Sequence, residues 1–305
     1  MNPFYKLILT PLIWATNFVM GRLLVVAIPA FALSSIRFAI AALIMLPLAL
    51  RTHPFRRISR RSWGWIGLMA VTGVCLFNTV LYLGLRYTTS VNATLINSLS
   101  PMVTAMLVFL IDREKIQRSQ AAGILLSVAG IAVVAAQGSW ERLTHLSFNP
   151  GDLLVLLATA LWALYTIAGR KVAQEVPVLA ATGYSFAIGA LLLLPMGLLD
   201  WNLSAATRQP AAPWMWGAAV YLGIFASVIA FYWWNQAVQA YGATVSSLFQ
   251  NLITVYAAGI AYWGLQEPLF GYHWLGGALV FGGALLASGI FQRKEPAQEA
   301  VSSQS

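Results

Sequence analysis

The sequence predicts an all-α membrane protein of ten transmembrane helices arranged as two inverted five-helix repeats, and three observations predict it. Hydrophobic residues make up 59% of the 305-residue chain and charged residues only 9%, against roughly 25% charged in an ordinary soluble domain. Apolar stretches of about 17 to 25 residues recur ten times, each long enough to cross roughly 30 Å of hydrocarbon. The phrase WATNFVMGR at residues 14 to 22 returns as WALYTIAGR at residues 162 to 170. Trp14 thus matches Trp162, Gly21 matches Gly169 and Arg22 matches Arg170 at one offset of 148. The stretches are apolar all round, which suits helices, whereas membrane barrel strands alternate over about ten residues.

The first span, 5 to 27, opens with a single basic residue, Lys6, and no small-residue cleavage site separates it from the second, so it is expected to stay. It centres near Thr16 and gathers Trp14, Asn17, Phe18 and Gly21 on one face at helical spacing. The second, 31 to 50, carries SSIRFAIAALIMLPLAL from Ser34. The third, 63 to 85, holds Cys75, Asn78 and Tyr82, and the fourth, 90 to 111, offers Thr94, Asn97, Ser98 and Pro101. Pro101 is expected to kink that helix and is the candidate hinge. The fifth span, 118 to 137, is glycine-rich, and the polar stretch GSWERLTHLSFNPGD ends the first half.

The second half repeats this order. Span six, 152 to 171, puts Trp162, Tyr165, Thr166 and Gly169 on the face its counterpart uses. Span seven, 177 to 199, carries TGYSFAIGALLLLPMGL from Thr182, pairing Phe186 with Phe38 and Pro195 with Pro47. Span eight, 213 to 238, ends on FYWWNQ, where Trp233 and Trp234 read first as an interfacial aromatic belt. After a slip of five the register resumes at 153. Span nine, 243 to 264, then brings Ser247, Gln250, Asn251 and Thr254 to the places of Thr94, Asn97, Ser98 and Pro101. Glu114 pairs with Glu267, and the glycine run of span ten, 272 to 291, matches that of span five as a close-packing surface. The units are residues 1–140 and 150–295, with 296–305 as a disordered cytoplasmic tail. Five spans is an odd number, so the second unit enters the bilayer from the opposite face, an arrangement suited to alternating access.

The net charge of +9 is distributed as a topology signal. Thirteen of the 18 basic residues fall on the face shared by the even-numbered connections and both termini, which the positive-inside rule makes cytoplasmic. Nucleic acid is not expected as a partner; the lipid bilayer and a small-molecule substrate are, and a monomer is expected. Cys75 is alone, and the histidines His53, His145 and His273 lie in loops or at span ends, so no metal site and no cofactor is predicted. All nine acidic residues lie in loops, tails or at span ends. No nucleophile with a base and no carboxylate pair presents itself for an enzyme.

Two five-helix halves, each with a Trp-rich first helix ending near Gly-Arg, an F-A-I helix, a fourth helix running to a terminal Glu and a Gly-rich fifth, resemble the drug/metabolite transporter superfamily. The resemblance is to its bacterial ten-helix branch with two EamA-type halves, similar to the aromatic and neutral amino-acid exporters, and it covers nearly the whole chain. One departure is Thr254 at the place of Pro101, so a hinge at Pro101 does not carry over to the ninth helix. The resemblance implies export across a bacterial inner membrane. Neutral or aromatic amino acids lead, another metabolite or drug-like compound is the alternative, and a membrane-embedded enzyme is a remote one.

Polar residues at mid-depth turn toward neighbours or water, so the expected cavity lining is Trp14, Thr16, Asn17, Asn78, Tyr82, Asn97, Ser98, Trp162, Tyr165, Gln250 and Asn251. Each has a competing structural role as interhelical glue. Arg22 and Arg37 lie within a few turns of the outer face. Snorkelling to the interface is their default reading, and a substrate carboxylate the sharper one. Phosphorylated cargo is disfavoured because no cluster of Lys or Arg faces mid-membrane.

Overall fold

The computed structural model describes residues 3–112, 118–135, 139, 149–204, 209–266 and 268–287. Within them every regular element is helical. Helices α1 Pro3–Leu24, α2 Ala30–Thr52 and α3 Arg60–Leu85 are followed by α4, which comes in two pieces, α4a Ser90–Asn97 and α4b Ser100–Asp112, and by α5 Arg118–Ala135. Then come α6 Pro150–Val172, α7 Val178–Leu203 and α8 Pro213–Tyr241, a divided α9 of α9a Ala243–Phe249 and α9b Asn251–Leu265, and α10 Gly271–Ala287. Seven of these, α1 to α4 and α6 to α8, are long and apolar enough to cross a bilayer. Among the described residues the other three are shorter: 18 in α5, 7 and 15 in the pieces of α9, and 17 in α10. The Glu114–Glu267 pairing, His145, the linker from 140 to 148 and the tail from 296 to 305 lie outside the described residues.

The helix starts follow from local chemistry. Pro29 precedes α2 and Pro177, 148 residues later, precedes α7; each has an extended backbone and no side-chain cap. Ser59, Thr89 and Asn149 accept from the first free backbone N–H groups of α3, α4a and α6. Gly242, at φ +83, makes the reversal between α8 and α9a that an L side chain would strain.

The two halves are related by a two-fold axis, and one interface shows it directly. Where α7 crosses α2, a Cβ on Gly183 would lie 2.8 Å from that of Ala49, and one on Gly197 would strike Ser35. Gly183 is the counterpart of Ser35 and Gly197 that of Ala49, so the contact reads the same from either side, as an isologous interface must. The helices therefore run antiparallel. The bonds from Ser35 Oγ to the Leu193 carbonyl (2.6 Å) and from the Phe31 N–H to Asp200 Oδ2 (3.0 Å) continue that pairing. Leu43 and its counterpart Leu191 point outward at 77% and 71% exposure, as matched lipid-facing positions should.

Helices α3 and α8 share a further irregularity. Each widens into π-type turns over eight residues, Ala70–Phe77 and Leu222–Ile229. Such stretches free backbone carbonyls from their usual partners and often mark functional sites.

Candidate functional site

Both broken helices break within two residues of the same place in their repeats. Helix α4 is interrupted at Ser98 and Leu99, where the Leu99 N–H reaches back three residues to the Ile96 carbonyl (3.0 Å). Helix α9 is interrupted at Gln250, whose N–H makes the same tightened bond to the Ser247 carbonyl (3.1 Å). Pro101 lies three residues beyond the first break, and its counterpart Thr254 lies beyond a break with no proline. The interruption thus belongs to the repeated architecture, and proline is not its common cause.

Asn97, beside the first interruption, and Gln250, in the second, face one small cavity of about 10 Å³ between the halves. Trp14, Asn17 and Phe18 of α1, Arg37 of α2, Phe77 and Asn78 of α3, Trp162 of α6, Phe231 of α8 and Ile253 of α9b complete its wall. The volume is about that of a single water. Its polar wall is only partly satisfied: Gln250 Oε1, the Trp162 indole N–H and Arg37 Nε are buried without a hydrogen-bond partner. A buried polar group with no partner costs about 1–3 kcal/mol, so these atoms mark where a further polar molecule would be stabilised.

Aromatic rings occupy the two-fold axis. Trp14 and its own counterpart Trp162 meet edge to face at 5.0 Å, and Phe38 meets its counterpart Phe186 at 5.4 Å. Phe231 touches all four, and Trp234 packs on both tryptophans. The belt reading of Trp234 is therefore corrected: its side chain is buried in this cluster, because α8 turns the face carrying Phe231, Trp234 and Asn235 inward.

The same correction applies to Arg37. It is 0% exposed and does not snorkel. Its Nη1 donates to Asn17 Oδ1 (2.9 Å), Asn78 Oδ1 (3.1 Å) and the Tyr82 hydroxyl, and its Nη2 donates to Ser227 Oγ (3.1 Å). The widened turns aim two of these acceptors. Asn78 Nδ2 is held by the Gly73 carbonyl (2.9 Å), which leaves its oxygen toward Arg37, and Ser227 is anchored on the Leu222 carbonyl (3.1 Å). Arg22, by contrast, lies in the last turn of α1, donates to the Thr88 carbonyl and lines a separate 440 Å³ pocket with Arg86.

Six of the expected lining residues meet at the cavity: Trp14, Asn17, Asn78, Asn97, Trp162 and Gln250. Tyr82 lies behind them, donating to Asn17 Oδ1 (2.7 Å), and Tyr165 stacks on Trp162 and accepts from Asn235 Nδ2 (2.6 Å). Ser98 bonds Thr254 Oγ1 (2.5 Å) across the α4–α9 contact, and Asn251 is buried with its Oδ1 unpartnered. Thr16 is turned away, its hydroxyl on the Ile13 carbonyl (2.7 Å) and the Tyr221 hydroxyl (3.1 Å). Ser227 is a partner whose only signal in the sequence is a lone hydroxyl in LGIFASVI, and for Arg37 it is the default reading, snorkelling, that its burial overturns. A larger groove of 590 Å³ between α4a, α9b and α10 is almost wholly apolar, and Thr254 on its wall is already bonded to the Thr94 carbonyl (2.9 Å). The small cavity, not the groove, is lined by Gln250, Trp162 and Arg37, each with an unpartnered buried polar atom.

Paired five-helix units, matched helix breaks and a polar chamber on their axis define a multi-pass membrane transporter. The chain belongs to the EamA-like transporter family, which matches residues 4–136 and again 149–289. It is 32% identical to the uncharacterized transporter YyaM of Bacillus subtilis over 84% of this chain and 83% of that protein. It is 26% identical to a probable terminal-alkyne amino-acid exporter of Streptantibioticus cattleyicolor over 92% of each chain. It is 28% identical to a probable biotin transporter of Pseudomonas aeruginosa over 81% of this chain and 83% of that protein. A crystal structure at 20% identity shares the fold with a TM-score of 0.62, covering 95% of this chain and 98% of its own. The family and these relatives are transporters, not enzymes.

Proposed function

We propose that this protein exports small amphipathic metabolites across a bacterial inner membrane, neutral or aromatic amino acids first, by alternating access at the cavity between its repeats. The observation that supports this most is the meeting of Asn97 and Gln250, counterparts at matched helix breaks, on one chamber walled by Trp14, Trp162, Phe77 and Phe231. Discontinuous helices in corresponding positions of inverted halves are where carriers place their sites. Rings enclose an apolar side chain and amides pair with either end of a zwitterion.

A chamber of about 10 Å³ admits no amino acid, so transport requires the halves to part. Asn17, Asn78, Asn97, Gln250 and the two tryptophans then contact cargo, while Tyr82, Ser98, Tyr165 and Asn251 support them and Thr16 holds α1 to α8. Both termini face the cytoplasm, and one copy suffices. The amino-acid exporter among the relatives supports the choice of cargo. The biotin transporter supports a second reading, in which the cargo is another small metabolite.

Counterflow of a labelled amino-acid panel in proteoliposomes, with and without a pH gradient, tests the proposal. Saturable exchange of at least one amino acid is expected, with Trp162→Ala and Asn97→Ala lowering flux in folded protein. Exchange of some other metabolite and of no amino acid would remove the leading cargo. Normal exchange by both variants would remove the site.

A further inference from the structure

We infer that Arg37 binds the cargo itself, and that the cargo carries a carboxylate docked side-on against its guanidinium. This rests on reading the cavity as the transport site and names the chemistry of what enters it.

Arg37 lines the cavity, is 0% exposed, and is held by four neutral oxygens. Three carboxylates among the described residues are committed elsewhere: Asp152 accepts from Thr88 (2.6 Å), Asp200 from the Phe31 N–H (3.0 Å), and Glu175 from Ser59 (2.9 Å). A guanidinium keeps its proton, so the side chain is a buried cation whose partners bear no charge. Such a cation is expensive in a bilayer and marks a substrate pathway more often than a structural joint.

The use of its five N–H groups gives direction to this. Nη1 has three acceptors, Nη2 has one, and Nε has none. The crowded nitrogen is the one at the far corner of the fork. The side-on edge, Nε with Nη2, is the edge that matches a carboxylate with two parallel hydrogen bonds, and it retains free N–H capacity on both nitrogens. An arginine serving only to join helices would spend that edge on fixed acceptors.

The repeat sharpens the argument. The counterpart of Arg37 in the second half is Ser185, whose hydroxyl bonds the Thr182 carbonyl (2.8 Å) in its own helix. One cation at the chamber, not two, suits a single carboxylate rather than a phosphate. The Trp14, Trp162, Phe77 and Phe231 rings that share the chamber with Arg37 suit an apolar body attached to that carboxylate.

The test uses the purified full chain in detergent, with thermal shift as the readout and four probes: L-phenylalanine, L-phenylalaninamide, 3-phenylpropionate and 3-phenylpropionamide. Wild-type protein is expected to prefer an acid over its amide by about tenfold or more, the ratio that hydrogen bonds to a charged partner supply. Arg37→Gln is expected to erase that preference. Arg37→Lys, which keeps the charge and loses the fork, should retain part of it, and carries the test if Arg37→Gln does not fold. Equal response to acid and amide, an unchanged preference in Arg37→Lys and any folded Arg37→Gln, or no response to any of the four would overturn the inference. Response to 3-phenylpropionate without response to phenylalanine would remove amino acids as cargo and leave the carboxylate site standing. Response to phenylalanine and its amide alike would do the reverse.

Discussion

Gly21 and Gly169 stand next to last in the same repeated phrase, yet they receive different side chains: the ring of Tyr82 lies on the first and the amide of Asn235 on the second. Behind each glycine is a polar knot. In the first half Tyr82 joins Asn17, Arg37, Asn78 and, from the other half, Ser227. In the second, Asn235 donates to Tyr165 (2.6 Å) and Thr182 (2.9 Å), and its own oxygen has no partner. Tyr165 is the counterpart of Asn17, so duplication preserved the place of the knot while the charge stayed in one copy. The backbone frame is what symmetry maintains; the chemistry at the chamber is free to become one-sided.

Four experiments press on that difference. Asn78→Ala removes an acceptor from a buried cation and is expected to cost about 1.5–3 kcal/mol, the range for hydrogen bonds to charged groups. Thermal unfolding in detergent measures it, and a loss no larger than that of Asn235→Ala would erase the distinction between the knots. Gly21→Ala would place a Cβ 2.7 Å from the Tyr82 ring, an overpacking expected to cost about 1–3 kcal/mol. At Gly169 the nearest atom is Asn235 Oδ1 at 3.3 Å. There the helical gain of Gly→Ala, about 0.5–1 kcal/mol, offsets the crowding, so Gly169→Ala should be nearly neutral. Equal losses at the two glycines would show that neither reads its neighbour.

Pro101→Ala should leave flux near that of wild type, because α9 breaks at Gln250 without a proline. Abolished counterflow would make the proline, not the repeated break, the working hinge. The smallest effect is expected just beyond the end of α6, where Glu175 accepts from Ser62 and Ser59 on the other half. The bond from Ser62, then that from Ser59, and to a lesser degree Arg61, hold this exposed carboxyl below its ordinary range. A depressed carboxyl stabilises above its unfolded value, about pH 4.3, and the contribution is lost as pH falls through the lower folded one. Unfolding followed from pH 7 downward should therefore show a small acid-side loss that Ser62→Ala diminishes. Identical profiles would mean the contact does not link the halves.

Much of this was legible because membrane physics writes itself into composition. Spans, repeat offsets and the inward face of Trp14, Asn17 and Gly21 follow from length, hydropathy and helical spacing. Depth was harder. Arg37 stands seven residues inside α2, a distance from which an isolated helix would snorkel; that it points inward depends on oxygens supplied by α1, α3 and α8. Trp234 failed for the same reason: an aromatic pair near a helix end looks alike whether it meets headgroups or a second tryptophan.

The sequence by itself determined that two copies of one five-helix unit face opposite ways and that their fourth helices carry amides at matching heights, since both depend only on the order of residues along a chain. Which side chains close on one another was decided by the tertiary structure alone. Contacts such as Arg37 with Ser227 or Trp14 with Trp162 join segments about 150 to 190 residues apart, and no local periodicity encodes which partner a buried polar group will find.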